Sequence, residues 1–211
     1  MSFDRVAPYY DALARGVFGR SIQRAQCYFL DQIPPQARVL VIGGGTGWLL
    51  PHLLARKEVT HVTYVEASEV MLRLARQKIC PLDATVKASV DFVHGNEDSL
   101  LPTDRFSAVI TNFVLDMYQG DDLDRVIQTL SKHLTSDGVW LFTDFRLTEQ
   151  ARHRGWQRLA TWAMYTFFYL TAGVRPQSLP SYHHHFTAQG FQRRHERSFF
   201  HDFIVSRVYQ R

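Results

Sequence analysis

Val39-Leu40-Val41-Ile42-Gly43-Gly44-Gly45-Thr46-Gly47 joins a continuous apolar run to a turn in which four of five residues are glycine. Four apolar residues without alternation suit a strand covered on both faces, as in a parallel sheet. The glycines permit positive φ and let backbone N–H groups approach a ligand closely. The apolar run from Trp48 to Leu54 reads as a helix that starts at this turn. Glycines at 43, 45 and 47 give G-x-G-x-G, whereas the dinucleotide fingerprint is G-x-G-x-x-G, and position 48 is Trp. That spacing disfavours a nicotinamide or flavin dinucleotide and favours a smaller nucleoside ligand without a pyrophosphate.

Outward from this stretch the chain alternates strand and helix signals. Residues 3–31 look helical and end before Pro34-Pro35. Strands are expected at 61–66, 90–94, 106–112 and 138–143, with helices at 68–80 (Ser68 as N-cap) and 121–134. Such β-α alternation implies parallel strands with helices on both faces, since parallel connections need crossovers. Ligands of such sheets lie beyond the carboxyl ends of the strands. The polar residues there are Gly43 to Gly47, Glu66, Asn96, Glu97, Asn112 and Asp144. A helix over 150–172, apolar on two faces, breaks the rhythm and reads as a buried layer or a lid. Residues 191–198 and 199–211 then read as a hairpin at the sheet edge.

A chain of 211 residues with 45% hydrophobic and 21% charged residues fits one globular domain. Cys27 and Cys80 are too few for a disulfide framework or a zinc ribbon, and read as small buried hydrophobes. Met1-Ser2-Phe3-Asp4-Arg5 has no apolar core of a secretory signal, and the 150–172 helix, with roughly a dozen uninterrupted apolar residues and Arg158 in its first turn, has too short an apolar stretch to span a bilayer; a cytoplasmic location is expected. The formal charge of +4 is uneven: residues 146–211 hold ten Arg against Glu149, Glu196 and Asp202, a net +7, which leaves −3 for the rest. A solvated basic face, an anionic substrate, an acidic membrane surface or RNA would each account for it. The pattern lacks the basic-aromatic interleaving of a nucleic-acid site, so no stable nucleic-acid partner is expected. His183-His184-His185 sits in a helical pattern after Pro180, where consecutive side chains diverge by about 100° and share one ion poorly; no metal site is assigned.

Taken together, these segments resemble a class I S-adenosylmethionine-dependent methyltransferase, most strongly over 36–145. The resemblance implies a Rossmann-like, doubly wound α/β fold: a seven-stranded, mostly parallel sheet with helices on both faces and a C-terminal antiparallel hairpin. It implies one domain over 1–211, with an N-terminal helical cover at 1–35 and a helical insertion at 146–188 over the acceptor. Val39 to Gly47 is similar to the family's first motif, with Gly43, Gly45 and Gly47 against the cofactor. Glu66 stands where the family's acid takes both ribose hydroxyls. Gly95-Asn96-Glu97-Asp98-Ser99-Leu100-Leu101-Pro102 resembles the motif that caps the adenine, with Asn96 at the usual acidic position and Glu97 beside it. Phe106 to Met117 resembles the fourth-strand motif, with Asn112 and Phe113 at the methionine and methyl end. Phe3 to Asp11 is similar to the opening of ubiquinone/menaquinone-type C-methyltransferases, where Tyr10 would cover the cofactor. Gln189-Gly190-Phe191 matches the step into the sixth strand.

Two features depart from the family. Val41 replaces the usual acid near the methionine amino group, for which Asp116 or Asp144 could substitute. Asn112-Phe113-Val114-Leu115 lacks the prolines of enzymes that methylate exocyclic amines. The implied cofactor is S-adenosylmethionine, with S-adenosylhomocysteine as product and a small, partly apolar or aromatic acceptor, in a monomer or homodimer. Where the acceptor needs a base, the candidates are Asp116, Asp144, His153 and the 183–185 histidines. Asp144 serves equally well as a turn residue, and Arg175 could meet an anionic acceptor. The competing readings are an RNA or protein methyltransferase using the basic C-terminal third, and a nucleoside-binding relative without catalysis.

Overall fold

The computed structural model describes residues 16, 18–79, 88–146, 155 and 181–211. These build a seven-stranded sheet of order β3-β2-β1-β4-β5-β7-β6. Its strands are β1 (Ala37–Ile42), β2 (Val59–Glu66), β3 (Ser89–His94), β4 (Phe106–Asn112), β5 (Leu134–Phe145), β6 (Gln192–Phe199) and β7 (Ile204–Gln210). β1 to β5 pair in parallel, and β7 runs antiparallel to both β5 and β6. The chain leaves β1 toward β2 and β3 on one side and returns to β4 on the other. This reversal puts the switch point, outside which sheets of this kind bind their ligands, at the carboxyl ends of β1 and β4.

β1 is buried along nearly its whole length, and its side chains part to the two faces. Val39 and Val41 pack with Tyr64, Leu50, Leu53, Leu72 and Ala75, beneath α2 (Leu50–Leu54) and α3 (Glu69–Ile79). Leu40 and Ile42 pack with Leu123, Ile127, Leu130 and Phe186, beneath α4 (Gly120–His133) and α5 (Tyr182–Ala188). Each large side chain so buried contributes about 1.5–3 kcal/mol. This two-faced burial is what the unbroken apolar reading of 39–42 expects.

Ser68 caps α3 as expected, its Oγ accepting from Met71 N at 3.2 Å. Other boundaries shift. The 3–31 helix is broken: α1 covers Ser21–Cys27, after a turn at Gly19-Arg20 where Gly19 has φ +57°. The helix expected over 48–54 starts at Leu50. β5 begins at Leu134 rather than 138, because α4 ends at His133 and the chain extends at once. Gly138, which resembled a strand start, is an interior residue crossed by Leu134; a Cβ there would lie 2.6 Å from Leu134 Cδ1. The C-terminal strand expected from 199 begins only at Ile204. Phe200, His201 and Asp202 form the turn with φ of 49°, 54° and 63°. Such left-handed residues each cost about 1–2 kcal/mol. Arg146 ties the turn down: its N–H donates to Phe203 O at 2.9 Å and its Nε to Asp202 O at 3.3 Å.

Cys27 is half-buried against the core, and burial pushes its thiol up to about 11, so it stays protonated at neutral pH. Tyr10, Cys80, His153, Arg175, the 150–172 helix and most of the 1–35 and 146–188 covers lie outside the described residues. Among the described residues no helix is long and apolar enough to cross a membrane.

Candidate functional site

The glycine turn sits at the carboxyl end of β1. Gly43, Gly45 and Gly47 adopt φ of 63°, 64° and 79°. Gly43 and Gly47 are also hemmed in: a Cβ would lie 2.6 Å from Val114 Cγ2 in the first case and 2.6 Å from Ala75 Cα in the second. Gly45 differs, because a Cβ there would meet nothing within 4 Å. Residue 45 therefore presents backbone to open space while its neighbours are wedged against the scaffold. Trp48, in place of a third fingerprint glycine, stacks on His52 with ring centroids 4.3 Å apart.

Glu66 closes the turn from β2. Its Oε2 accepts from Gly45 N at 2.8 Å and its Oε1 from Ser68 N at 2.8 Å. Burial pushes its carboxyl above the ordinary value, and the N–H groups of Ser68, Gly45 and Ala67, with His94, pull it back. A carboxylate has about four lone-pair sites, so these N–H bonds leave it further acceptor capacity. The carboxylate thus fixes the turn and still has lone pairs for hydroxyl donors.

At the end of β3, Asn96 is exposed and caps a short turn, Glu97–Ser99: its Oδ1 accepts from Asp98 N at 3.2 Å, and its N–H donates to Ser99 Oγ at 3.3 Å. Glu97 is 1% exposed and points inward. It accepts from Tyr118 Oη at 3.3 Å and lies 3.8 Å from the Arg125 guanidinium. Burial first, and the Glu97 charge second, raise the Tyr118 pKa. At the end of β4, Asn112 is half-buried and Phe113 has φ +55°. Phe113 is held by its N–H to Thr143 O at 2.8 Å, with its ring 4.7 Å from Phe145.

Asp116 and Asp144 meet beyond β4 and β5. Asp144 Oδ1 accepts from Phe145 N at 2.8 Å and Oδ2 from Asp116 N at 3.2 Å. Both are buried, at 6% and 1% exposure. Burial pushes Asp116 up to about 7. Burial first, and the Asp116 charge second, hold Asp144 well above the usual carboxylate range, against the pull of the two N–H groups and the Tyr182 hydroxyl. Asp144 is thus engaged as a turn anchor, and both carboxyls are raised because burial disfavours their charged forms.

The three histidines of α5 diverge as consecutive helical residues do. His183 stacks near Tyr209, His184 is exposed, and His185 Nδ1 lies 2.7 Å from Asp124 Oδ1. Burial and the Arg193 and Arg207 charges lower the His183 pKa. Among the described residues no three His, Cys, Asp or Glu side chains converge as a metal site. Val41, at the position of the family's acid, is 2% exposed in the core.

The structure therefore places Gly43, Gly45 and Gly47 in one turn that Glu66 holds at Gly45, Asn112 and Phe113 at the end of β4 with the Asp116–Asp144 pair following, and Asn96 with Glu97 at the end of β3. Tyr64, Tyr118 and Tyr182 escaped the sequence reading. Only Tyr64 carried a signal, as the tyrosine of β2 two residues before Glu66 and so on the same face.

A protein-family model described as a methyltransferase domain matches residues 11–196. Malonyl-[acyl-carrier protein] O-methyltransferase of Bacillus anthracis is 30% identical over 122 residues, covering 57% of this chain and 42% of that protein. The enzyme of the same name from Bacillus cytotoxicus is 25% identical over 164 residues, covering 74% and 53%. The chain thus spans about half the length of the curated relatives it matches. Among solved structures, the mitomycin 7-O-methyltransferase MmcR superposes with a TM-score of 0.70 at 16% identity, over 100% of this chain and 61% of that one. The DhpI-SAH complex does so with 0.68 at 16% identity, over 98% and 92%. At such identities these two likenesses speak for the fold.

Proposed function

Because the chain belongs to the methyltransferase domain family that its residues 11–196 match, we propose that it transfers a methyl group from S-adenosylmethionine to a small, partly apolar or aromatic acceptor, releasing S-adenosylhomocysteine. The observation that carries this reading is the Gly43–Gly47 turn, open at Gly45 and held by Glu66 through a 2.8 Å bond. The residues fit the nucleoside: positive-φ backbone can lie against its amino-acid tail, and the spare lone pairs of Glu66 suit two adjacent ribose hydroxyls. Asn96 and Glu97 would flank the adenine, Asn112 and Phe113 the methionine end, and Tyr10 the outer face. When bound, the sulfonium supplies a carbon already activated for displacement.

The work left to the chain is alignment and, for a protonated acceptor, removal of one proton. Asp116 is assigned as that base, with a pKa of about 7. Asp144 holds the Asp116 backbone in place. His153 is the alternative base, and Phe113 with Phe145 offers the acceptor an aromatic wall. A cytoplasmic enzyme without a membrane span is part of the same reading.

Calorimetry with S-adenosylmethionine, S-adenosylhomocysteine and NAD(H) tests the cofactor class; a preference for NAD(H) overturns it. Glu66→Ala should weaken nucleoside binding by about 1.5–3 kcal/mol for each charge-assisted hydrogen bond removed. Unchanged affinity would remove Glu66 from the site. A macromolecular acceptor is the second reading, favoured by the exposed edge strand carrying Arg193, Arg194 and Arg197 beside the exposed Tyr28. RNA binding there must fall steeply with salt, so a flat salt profile excludes it.

A further inference from the structure

We propose that Tyr64 is a positioning residue for the glycine turn, and that residue 44 is glycine because the Tyr64 ring occupies the place of its side chain. This deepens the methyl-donor reading above and rests on it. Of the four glycines in the turn, Gly43, Gly45 and Gly47 have positive φ, and Gly44 does not. The backbone at 44 is therefore outside the left-handed region that favours glycine, and positive φ does not explain the glycine. Space does: a Cβ on Gly44 would overlap Cζ, Cε2 and the hydroxyl oxygen of Tyr64.

Tyr64 is fully buried, and its hydroxyl donates to Gly45 O at 3.0 Å. The ring cannot swing away easily. It pairs in register with Val41 of β1 and packs edge-on against Phe92 at 5.5 Å, which lies under Arg76. Two residues on, and so on the same face of β2, Glu66 accepts from Gly45 N. Residue 45 is therefore held from both sides, its N–H by Glu66 and its carbonyl by Tyr64. It is also the residue whose α-carbon faces open space. Fixing it before the nucleoside arrives removes an ordering cost that binding would otherwise bear. Val41 fits this arrangement: an apolar residue lies beside the ring, and the turn is gripped from β2 instead.

The test compares Tyr64→Phe, Tyr64→Val, Gly44→Ala and the Tyr64→Val/Gly44→Ala pair, with S-adenosylhomocysteine as the calorimetric probe and thermal melting alongside. Tyr64→Phe keeps the ring and removes one neutral hydrogen bond; affinity should fall about 3- to 10-fold. Gly44→Ala alone should lower affinity by more than about 10-fold, as one overlap displaces the turn. In the Tyr64→Val background, where the space is open, Gly44→Ala should cause no further loss. A tyrosine that only fills the core would shift the melting temperature, leave affinity in Tyr64→Phe unchanged, and give Gly44→Ala the same penalty in both backgrounds. Either of those affinity results overturns the proposal while leaving the methyl-donor reading intact. Failure of the unaltered protein to bind the probe overturns that reading, and the proposal falls with it.

Discussion

Two carboxylate clusters lie at opposite sides of β5, and their electrostatics are inverted. At its carboxyl end, Asp116 and Asp144 are buried together, and among the described residues Asp144 is held by N–H groups rather than by a cation. On the antiparallel side, Glu196 of β6 alone accepts from three guanidiniums: Arg146 at 2.8 Å, Arg207 at 2.7 Å and Arg193. Burial raises the first pair's pKa values. At Glu196 burial also opposes ionisation, but Arg207 and Arg146 outweigh it and the value falls. The scaffold hairpin thus satisfies its carboxylate fully. The Asp116 and Asp144 pair has no such compensation for its burial among the described residues, an arrangement that is costly for stability.

Removing the anchor of the acid pair should have the largest effect. Asp144→Ala strands the N–H groups of Phe145 and Asp116, at about 1–3 kcal/mol each, read as a lower urea midpoint. Asp144→Asn keeps an acceptor and removes a charge, so it should cost under about 1 kcal/mol near pH 8. Equal loss in both variants would mean that charge, not hydrogen bonding, is the contribution of Asp144. Glu196→Ala comes next. Its carboxylate is partly exposed and its pairs are screened, so about 1–2 kcal/mol is expected, shrinking in high salt. A salt-independent loss would contradict the ionic account.

The gentlest change, under about 1.4 kcal/mol for each pH unit, and the sharpest contrast lie in pH. Asp116 has a folded pKa raised from 3.8 to about 7. Its favourable contribution is therefore complete below the unfolded value and is lost as pH rises through about 7, with a slope under about 1.4 kcal/mol per pH unit. Glu196 runs the other way, since its pKa is lowered from 4.5. Its contribution is present above that value and is lost as pH falls through the lowered one. Stability curves of Asp116→Asn and Glu196→Gln should each lose one of these limbs. A curve of Asp116→Asn that still falls through pH 7 would place the titrating group elsewhere.

Legibility followed the range of the interactions. The apolar run Val39 to Ile42 foretold a strand with two covered faces, because burial on both sides needs only side-chain type and period. Glu66 at the end of β2 was visible because its role is set by position along a strand. Asp144 was visible as a position, and the sequence left both a base and a turn anchor open. Its bonds to Phe145 and Asp116 N–H depend on how a turn after β4 meets the end of β5, 28 residues away. The early start of β5 and the late start of β7 were hidden for a related reason. Leu134 folding over Gly138, and Arg146 pinning the 200–203 turn, are packing arrangements that arise only once the chain is folded.

By itself, the sequence determined the strand-helix alternation, the sharp glycine turn and the standing of Glu66 and Asp144 at the ends of their strands. These follow from local backbone preference and from the free energy of burying apolar area. Only the tertiary structure decided which N–H groups Asp144 anchors, how far burial raises the two acids, and why Gly44 is glycine. Those outcomes depend on desolvation and on a few tenths of an ångström between side chains that the fold brings together from separate strands.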